Sequence, residues 1–284
     1  MVLYNCCLLL PELCATFAAT RQVDSLLCPM IRYATSSTAA ACDAYDTEWL
    51  RLLVARISSA GYFSALFDAF SFGHAADALP SFLHLLCEAV DQGCALPVGF
   101  VANQGLGPLG MDVFVQSRLL QTIERSAQCC AKSPSDRAAQ TVLQAALQLM
   151  GAVMSRVEAD QGEEAPDPRP VIRLLLELLT ALPSPSGPRQ REILPDDWAC
   201  VFYLGYRRDL VAAVANACHG RHRVVADIVS MQGVLVVLQQ CRGDDEETFV
   251  REWALLAVRN MCEVSREAQD AIRELDTLSA AEII

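Results

Sequence analysis

The sequence predicts an all-α fold of stacked helices, and three observations carry that prediction. The first is an internal repeat. VAAVANAC ends at Cys218 and LAVRNMC ends at Cys262, 44 residues later, and Asn216 and Asn260 are separated by the same step. At that offset Arg207 falls on Arg251, and Ile228 on Ile272. The second is composition: hydrophobic residues make up 53% of the chain and aromatics only 7%. Such a mix suits helices in close approach better than sheets built from β-branched and aromatic residues. The third is a rhythm of apolar stripes at helical spacing, separated by glycine and proline breaks. Helical units repeating every roughly 40–47 residues mark armadillo and HEAT arrays. The expected architecture is therefore an armadillo/HEAT-like right-handed superhelix of stacked helical repeats.

Taken in order, residues 2–20 and 22–35 read as two short helices broken by Pro11 and Pro29. Leu50, Leu53, Val54 and Ile57 recur at helical spacing, with Asp43 or Asp46 as a cap. Gly61 breaks that helix, FSALFDAFSF forms its partner, and a third helix starts at Pro80, a favourable first-turn residue, and runs to Gly93. GCALPVGFVANQGLGPLGMD, residues 93–112, is irregular. One helix then runs to Ala131, and another starts at Ser135 or Asp136, with Val142, Ala146, Leu149, Val153 and Val157 along one face. SRVEADQGEEAPDPRP is acidic and proline-bearing, VIRLLLELLTAL is a buried helix, and PSPSGPRQREILPDD is a second linker. The expected division is an N-terminal armadillo-like helical region over 1–157, linkers over 158–197 flanking the helix at 171–182, and two repeat units over 198–284.

In the last unit Phe249, Trp253, Leu256, Ala257, Val258 and Met261 form an apolar arc broad enough to be covered on two sides, with Glu252 and Arg259 pointing away. A second helix carries Ile272 and Leu275 inward. The preceding unit repeats this with Leu210, Val211, Val214 and Cys218, followed by Val224, Val225, Ile228 and Val229. Gly233 ends that helix before VLVVLQQC begins the next. Neither unit can bury its apolar face alone, so stacking has to supply the core.

REWALLAVRNMCE, with DLVAAVANAC, VLVVLQQC and the Asp244–Asp245 pair, resembles the C-terminal domain of the ataxin-10 family over roughly residues 200–277. Arg251-Glu252-Trp253-Ala254 followed by Ala257-x-Arg259-Asn260 is its strongest part. Two features depart from the family pattern. The Asn-Gln pair that follows each Asn-bearing helix becomes Arg223-Val224 and Ala268-Gln269, and the proline before VLVVL is missing. The resemblance implies a non-catalytic, armadillo-like scaffold linked in animals to cytokinesis and signalling.

Candidate protein-contact residues are Asn216, Asn260, Arg259 and Glu252. In peptide-binding armadillo arrays the equivalent Asn lines a groove, preceded four residues earlier by Trp. Here those earlier positions are Ala212 and Leu256, which favours amides satisfied within the fold. Trp253 is expected in the core.

Other chemistries find little footing. A net charge of −12 repels phosphate backbones, so nucleic acid is not an expected partner. No run of about 20 apolar residues offers a membrane span, and the N-terminal MVLYNCCLLLPEL lacks a basic segment before its apolar run, which favours a first core helix over a signal peptide. Thirteen cysteines without framework spacing suit a reducing, cytoplasmic setting. The alternative to a scaffold is an enzyme or cofactor-binding protein. Its dinucleotide site would be GLGPLG at Gly105–Gly110, where Pro108 and the lack of βαβ alternation count against it. Its metal site would start at Cys218, His219 and His222, but no C-x-x-C partner supplies further ligands. The expectation is no enzyme activity and no cofactor, with other proteins, or further copies of this chain, as partners.

Overall fold

Where proline and glycine fall decides how the first helices begin. The computed structural model describes residues 1–10, 12–35, 44–58, 62–72, 76–91, 118–156, 169–182, 203–242 and 249–281. Among these residues every regular element is a helix. The chain divides into two compact units, Met1–Phe114 and Val115–Ile284.

The first unit contains α1 (Val2–Leu9), α2 (Glu12–Ala18), α3 (Thr20–Gln22), α4 (Cys28–Thr35), α5 (Ala44–Ile57), α6 (Phe63–Phe72) and α7 (Leu79–Asp91). Pro29 does not break a helix, as the sequence reading had it. It sits in the first turn of α4, where a missing N–H costs nothing, and a π-helical turn over Val23–Leu27 leads into it. Pro80 occupies the same kind of position in α7. Helix α5 is the hub, packing on α1, α2, α4 and α7 through Leu50, Leu53, Val54 and Ile57, all buried. Phe70 stacks on Phe82 with ring centroids 4.5 Å apart, tying α6 to α7.

The second unit contains α8 (Leu120–Lys132), α9 (Arg137–Arg156), α10 (Arg169–Ala181), α11 (Tyr206–Cys218), α12 (His222–Ser230), α13 (Gly233–Gln240), α14 (Val250–Val264) and α15 (Arg266–Ala281). Helices α8 and α9, which the sequence reading grouped with residues 1–157, belong to this unit. Asp136 caps α9, its Oδ1 accepting from the Ala139 N–H at 3.0 Å. Ser265 caps α15 the same way, accepting from Ala268 N–H at 3.2 Å.

Two runs of neighbours organise the unit. Helix α9 packs on α8 and on α11, and α11 packs on α14. Alongside them α10 packs on α12 and α13, and both of those pack on α15. Being covered from both sides explains why α9 buries Leu143, Leu147 and Met150 on one face and Ala145, Leu149 and Ala152 on the opposite one. Helix α10 shows one face only: Val171, Ile172, Leu175, Leu176 and Leu179 are buried, Arg173 and Glu177 exposed.

Gly233 is the first residue of α13 rather than the end of α12, which stops at Ser230. A Cβ there would lie 2.6 Å from Leu176 Cδ1 and 3.0 Å from Ile228 Cγ2, so glycine is what lets α13 approach α10 and α12. No single described helix is long and apolar enough to cross a membrane. The apolar neighbours α12 and α13 meet at a 97° bend.

Candidate interaction face on the C-terminal helices

The two repeated asparagines occupy equivalent places and do equivalent work. On α11, Asn216 Nδ2 donates to the backbone carbonyl of Gly151 on α9 at 3.0 Å. On α14, Asn260 Nδ2 donates to the carbonyl of Ala215 on α11, also at 3.0 Å. Each amide thus fastens its helix to the preceding one in the run, at a carbonyl that already sits inside a helix. Asn260 is 4% exposed and Asn216 half-buried. Their donors are committed within the fold, as buried amides require.

Other side chains, most of them unmarked by the 44-residue offset, hold the same helices from other directions. Arg221, buried just before α12, points its guanidinium into the C-terminal turn of α11. Nη1 donates to the carbonyls of Asn216 at 2.8 Å and Ala217 at 3.0 Å, and Nη2 reaches Met154 on α9 at 2.8 Å. A cation there also meets the negative end of the α11 dipole. Asp209, buried in the first turn of α11, accepts from Tyr203 Oη at 2.9 Å and from the Arg208 guanidinium at 2.8 and 3.0 Å. Arg169 on α10 reaches Asp227 on α12 at 2.6 Å. Arg207 Nη1 donates to Gln240 Oε1 at 2.7 Å, linking α11 to α13. The sequence marked Arg207 through its counterpart Arg251, but it missed Asp209 and Arg221, whose equivalents are Trp253 and Ser265. A buried charge in a single copy leaves no periodic trace.

Helix α14 departs from the expected apolar arc. Its buried line is Val250, Ala254, Ala257, Asn260 and Met261. Phe249 is 59% exposed at the N-cap with φ of 72°, Leu256 is 37% exposed, and Trp253 is only half-buried. The reason lies in the neighbours: α11 covers one side of α14 and α13 and α15 its flanks, and the side facing away from α11 is left open. That open face carries Glu252, Leu255, Leu256, Arg259 and Glu263, which lie within about 100° of arc, under a third of a turn, at 100° per residue. Leu255 is 51% exposed. Arg259 Nε donates to Glu263 Oε1 at 2.8 Å in an i,i+4 pair on the surface. Two exposed leucines thus sit between opposite charges on the outer face of α14.

The alternative chemistries fare differently. Cys218 is fully buried, and burial pushes its thiol up to about 12 although Arg221 pulls the other way. His219 and His222 are exposed on the turn and at the start of α12, so the three side chains do not converge. Among the described residues no group of three or more His, Cys, Asp or Glu side chains is placed to hold a metal. The Gly105–Gly110 stretch lies outside the described residues. His84, on α7, faces Glu88 at 3.3 Å on the surface.

The repeated clamp and the open final face define the second unit as an all-helical domain held by side chains to backbone carbonyls of neighbouring helices. Residues 206–282 match the family described as the Spinocerebellar ataxia type 10 protein domain, so the C-terminal region carries an ataxin-10 family domain. Among the similar curated proteins, Ataxin-10 of Xenopus tropicalis is 24% identical over 79 residues, 28% of this chain and 16% of that protein. The Ataxin-10 homolog of Dictyostelium discoideum is 27% identical over 77 residues, 27% of this chain and 13% of that one. Ataxin-10 of Homo sapiens is 23% identical over 78 residues, 28% of this chain and 16% of its own. The chain thus matches less than a fifth of the length of these relatives. No solved structure matches it.

Proposed function

We propose that this chain is a non-catalytic protein–protein interaction scaffold of the ataxin-10 type, whose second unit is an armadillo-like, right-handed stack of helical repeats. The run α9–α11–α14, with the same Asn-to-carbonyl clamp at both junctions, supports the stack. The contact residues in this reading are Glu252 and Arg259, beside Leu255 and Leu256, while Asn216 and Asn260 hold the helices that present them. Ten described cysteines carry free thiols, several of them in the core, which supports a reducing, cytoplasmic setting. Cytokinesis or signalling regulation is the context that the ataxin-10 likeness suggests.

The observation that carries the reading is the half-open leucine pair inside the region of the family match. Its test is cross-linking mass spectrometry of the tagged full chain in cells, wild type against a Leu255→Asp/Leu256→Asp variant. Cross-links from α14 to specific proteins, lost in the variant while circular dichroism is unchanged, are expected. A purified chain that instead holds stoichiometric zinc, or melts several degrees higher with a dinucleotide, overturns the scaffold reading.

A further inference from the structure

Three helices of the first unit leave an aromatic-lined hollow where they meet. Helix α5 packs on α1 and on α4, and between them lies a cavity of about 230 Å³. Tyr4 from α1, Met30 and Tyr33 from α4, and Trp49, Leu50 and Leu53 from α5 line it. The Tyr4 and Trp49 ring centroids are 5.6 Å apart and their planes are inclined at 50°, so the two rings form a corner. Trp49 is half-buried, whereas Tyr33 is 61% exposed, which sets its ring at the mouth.

We propose that this hollow binds the methylated ammonium of a trimethyl-lysine side chain on a partner protein. Charge, lining and size select that occupant. Residues 1–114 carry ten carboxylates against four arginines and no lysine, so the field of this unit draws cations. The lining offers ring faces, a thioether and aliphatic carbons. An unmethylated lysine would give up three hydrogen bonds to water for a wall poor in acceptors. A trimethylammonium has no N–H to satisfy, and its charge is attracted to aromatic faces within about 6 Å. The cavity is smaller than the roughly 300–1,000 Å³ of sites for drug-sized ligands, and suits one ammonium head with its methylene stem. Phosphocholine carries the same head, but its phosphate calls for a cation beside the site. On α4 and α5 the guanidiniums are engaged elsewhere: Arg32 by Asp77, Arg51 by Glu48, and Arg56 by the Cys7 carbonyl.

The experiment titrates the purified full chain against Nα-acetyl trimethyl-lysine methylamide, observed by proton NMR of the ligand. N-methyl protons held over ring faces should move upfield and saturate. The unmethylated lysine derivative, the neutral analogue with carbon in place of the charged nitrogen, and phosphocholine should each bind at least about tenfold more weakly. Tyr33→Leu removes one ring at an exposed position and should weaken binding about two- to fivefold with unchanged circular dichroism. Tyr33→Phe should keep it. Trp49→Leu should abolish the upfield shift, and the Tyr33 pair decides the matter even where that variant loses its fold. No saturable upfield shift, equal affinity for the neutral analogue, or binding indifferent to Tyr33→Leu overturns the proposal. Tighter binding of phosphocholine overturns lysine as the source of the head group. These outcomes and the α14 cross-links fail independently, because the hollow belongs to the first unit and α14 to the second.

Discussion

Asn260 puts two roles in competition, and the hydrogen bond it makes decides what its removal costs. Its amide reaches Ala215 O across the α11–α14 junction from a position that is almost wholly buried. Asn260→Ala deletes that bond at one of the last four carbonyls of α11, whose usual helical donor, the His219 N–H, goes to Asn216 O instead, so a buried carbonyl is left unpaired, at about 1–3 kcal/mol. Urea unfolding should show it as a lower midpoint at unchanged slope. Asn216→Ala, at a half-buried site, should lose less. A variant of normal stability that drops its cross-links would instead return Asn260 to a partner groove. Cysteine chemistry tests the same packing from another side. Burial pushes the thiols of Cys7 and Cys218 up to about 12 and that of Cys130 up to about 11, while the adjacent Cys129 is exposed. Because the thiolate is the reactive form, iodoacetamide at about pH 8 should alkylate Cys129 in the native chain and spare the other three. Peptide mass spectrometry reads the order, and early labelling of Cys218 would mean that α11 is not packed as described.

Two glycines make opposite demands on their helices. Gly151 lies inside α9, and a Cβ built there meets nothing within 4 Å. Its counterpart as acceptor on α11 is Ala215, so the clamp itself tolerates a methyl group. Gly151→Ala should therefore stabilise the chain by about 0.5–1 kcal/mol through helix propensity and a less flexible unfolded chain. Gly233 gains from the same propensity argument, but its Cβ would press on Leu176 and Ile228 inside the core. Gly233→Ala should cost about 1–3 kcal/mol, the range for overpacking, and thermal unfolding should separate the two variants by sign. Sequence alone could not rank these glycines, because both sit among apolar residues at helical spacing. What separates them is the distance to side chains on other helices.

For the molecule as a whole, the 44-residue period made the helices of the C-terminal repeat legible, since α11 and α14 carry the same phrase in register. It also marked Asn216 and Asn260 as equivalent, which their matching carbonyl partners repeat. The period hid what occurs once. Arg221 and Asp209 have no copies, and the rotation of α14 that exposes Leu256 depends on which neighbours exist, not on its own pattern. The expected start of the last domain at residue 198 came from composition, whereas the side chains reach further back. Asn216 and Arg221 both bond carbonyls of α9, at Gly151 and Met154, and α9 in turn packs on α8. A fragment beginning at residue 198 strips both acceptors and bares the side of α11 that α9 covers, so it loses two interhelix hydrogen bonds, about 1 kcal/mol each, along with that burial. Against a typical total of roughly 5–15 kcal/mol, that loss together with the exposed apolar face should prevent cooperative folding. A fragment from Val115 to Ile284 keeps the whole run of contacts. It should show helical circular dichroism and a single sharp urea transition, while residues 198–284 alone should unfold gradually. Cooperative unfolding of the shorter piece would place the boundary back at residue 198 and make the α9 clamps dispensable.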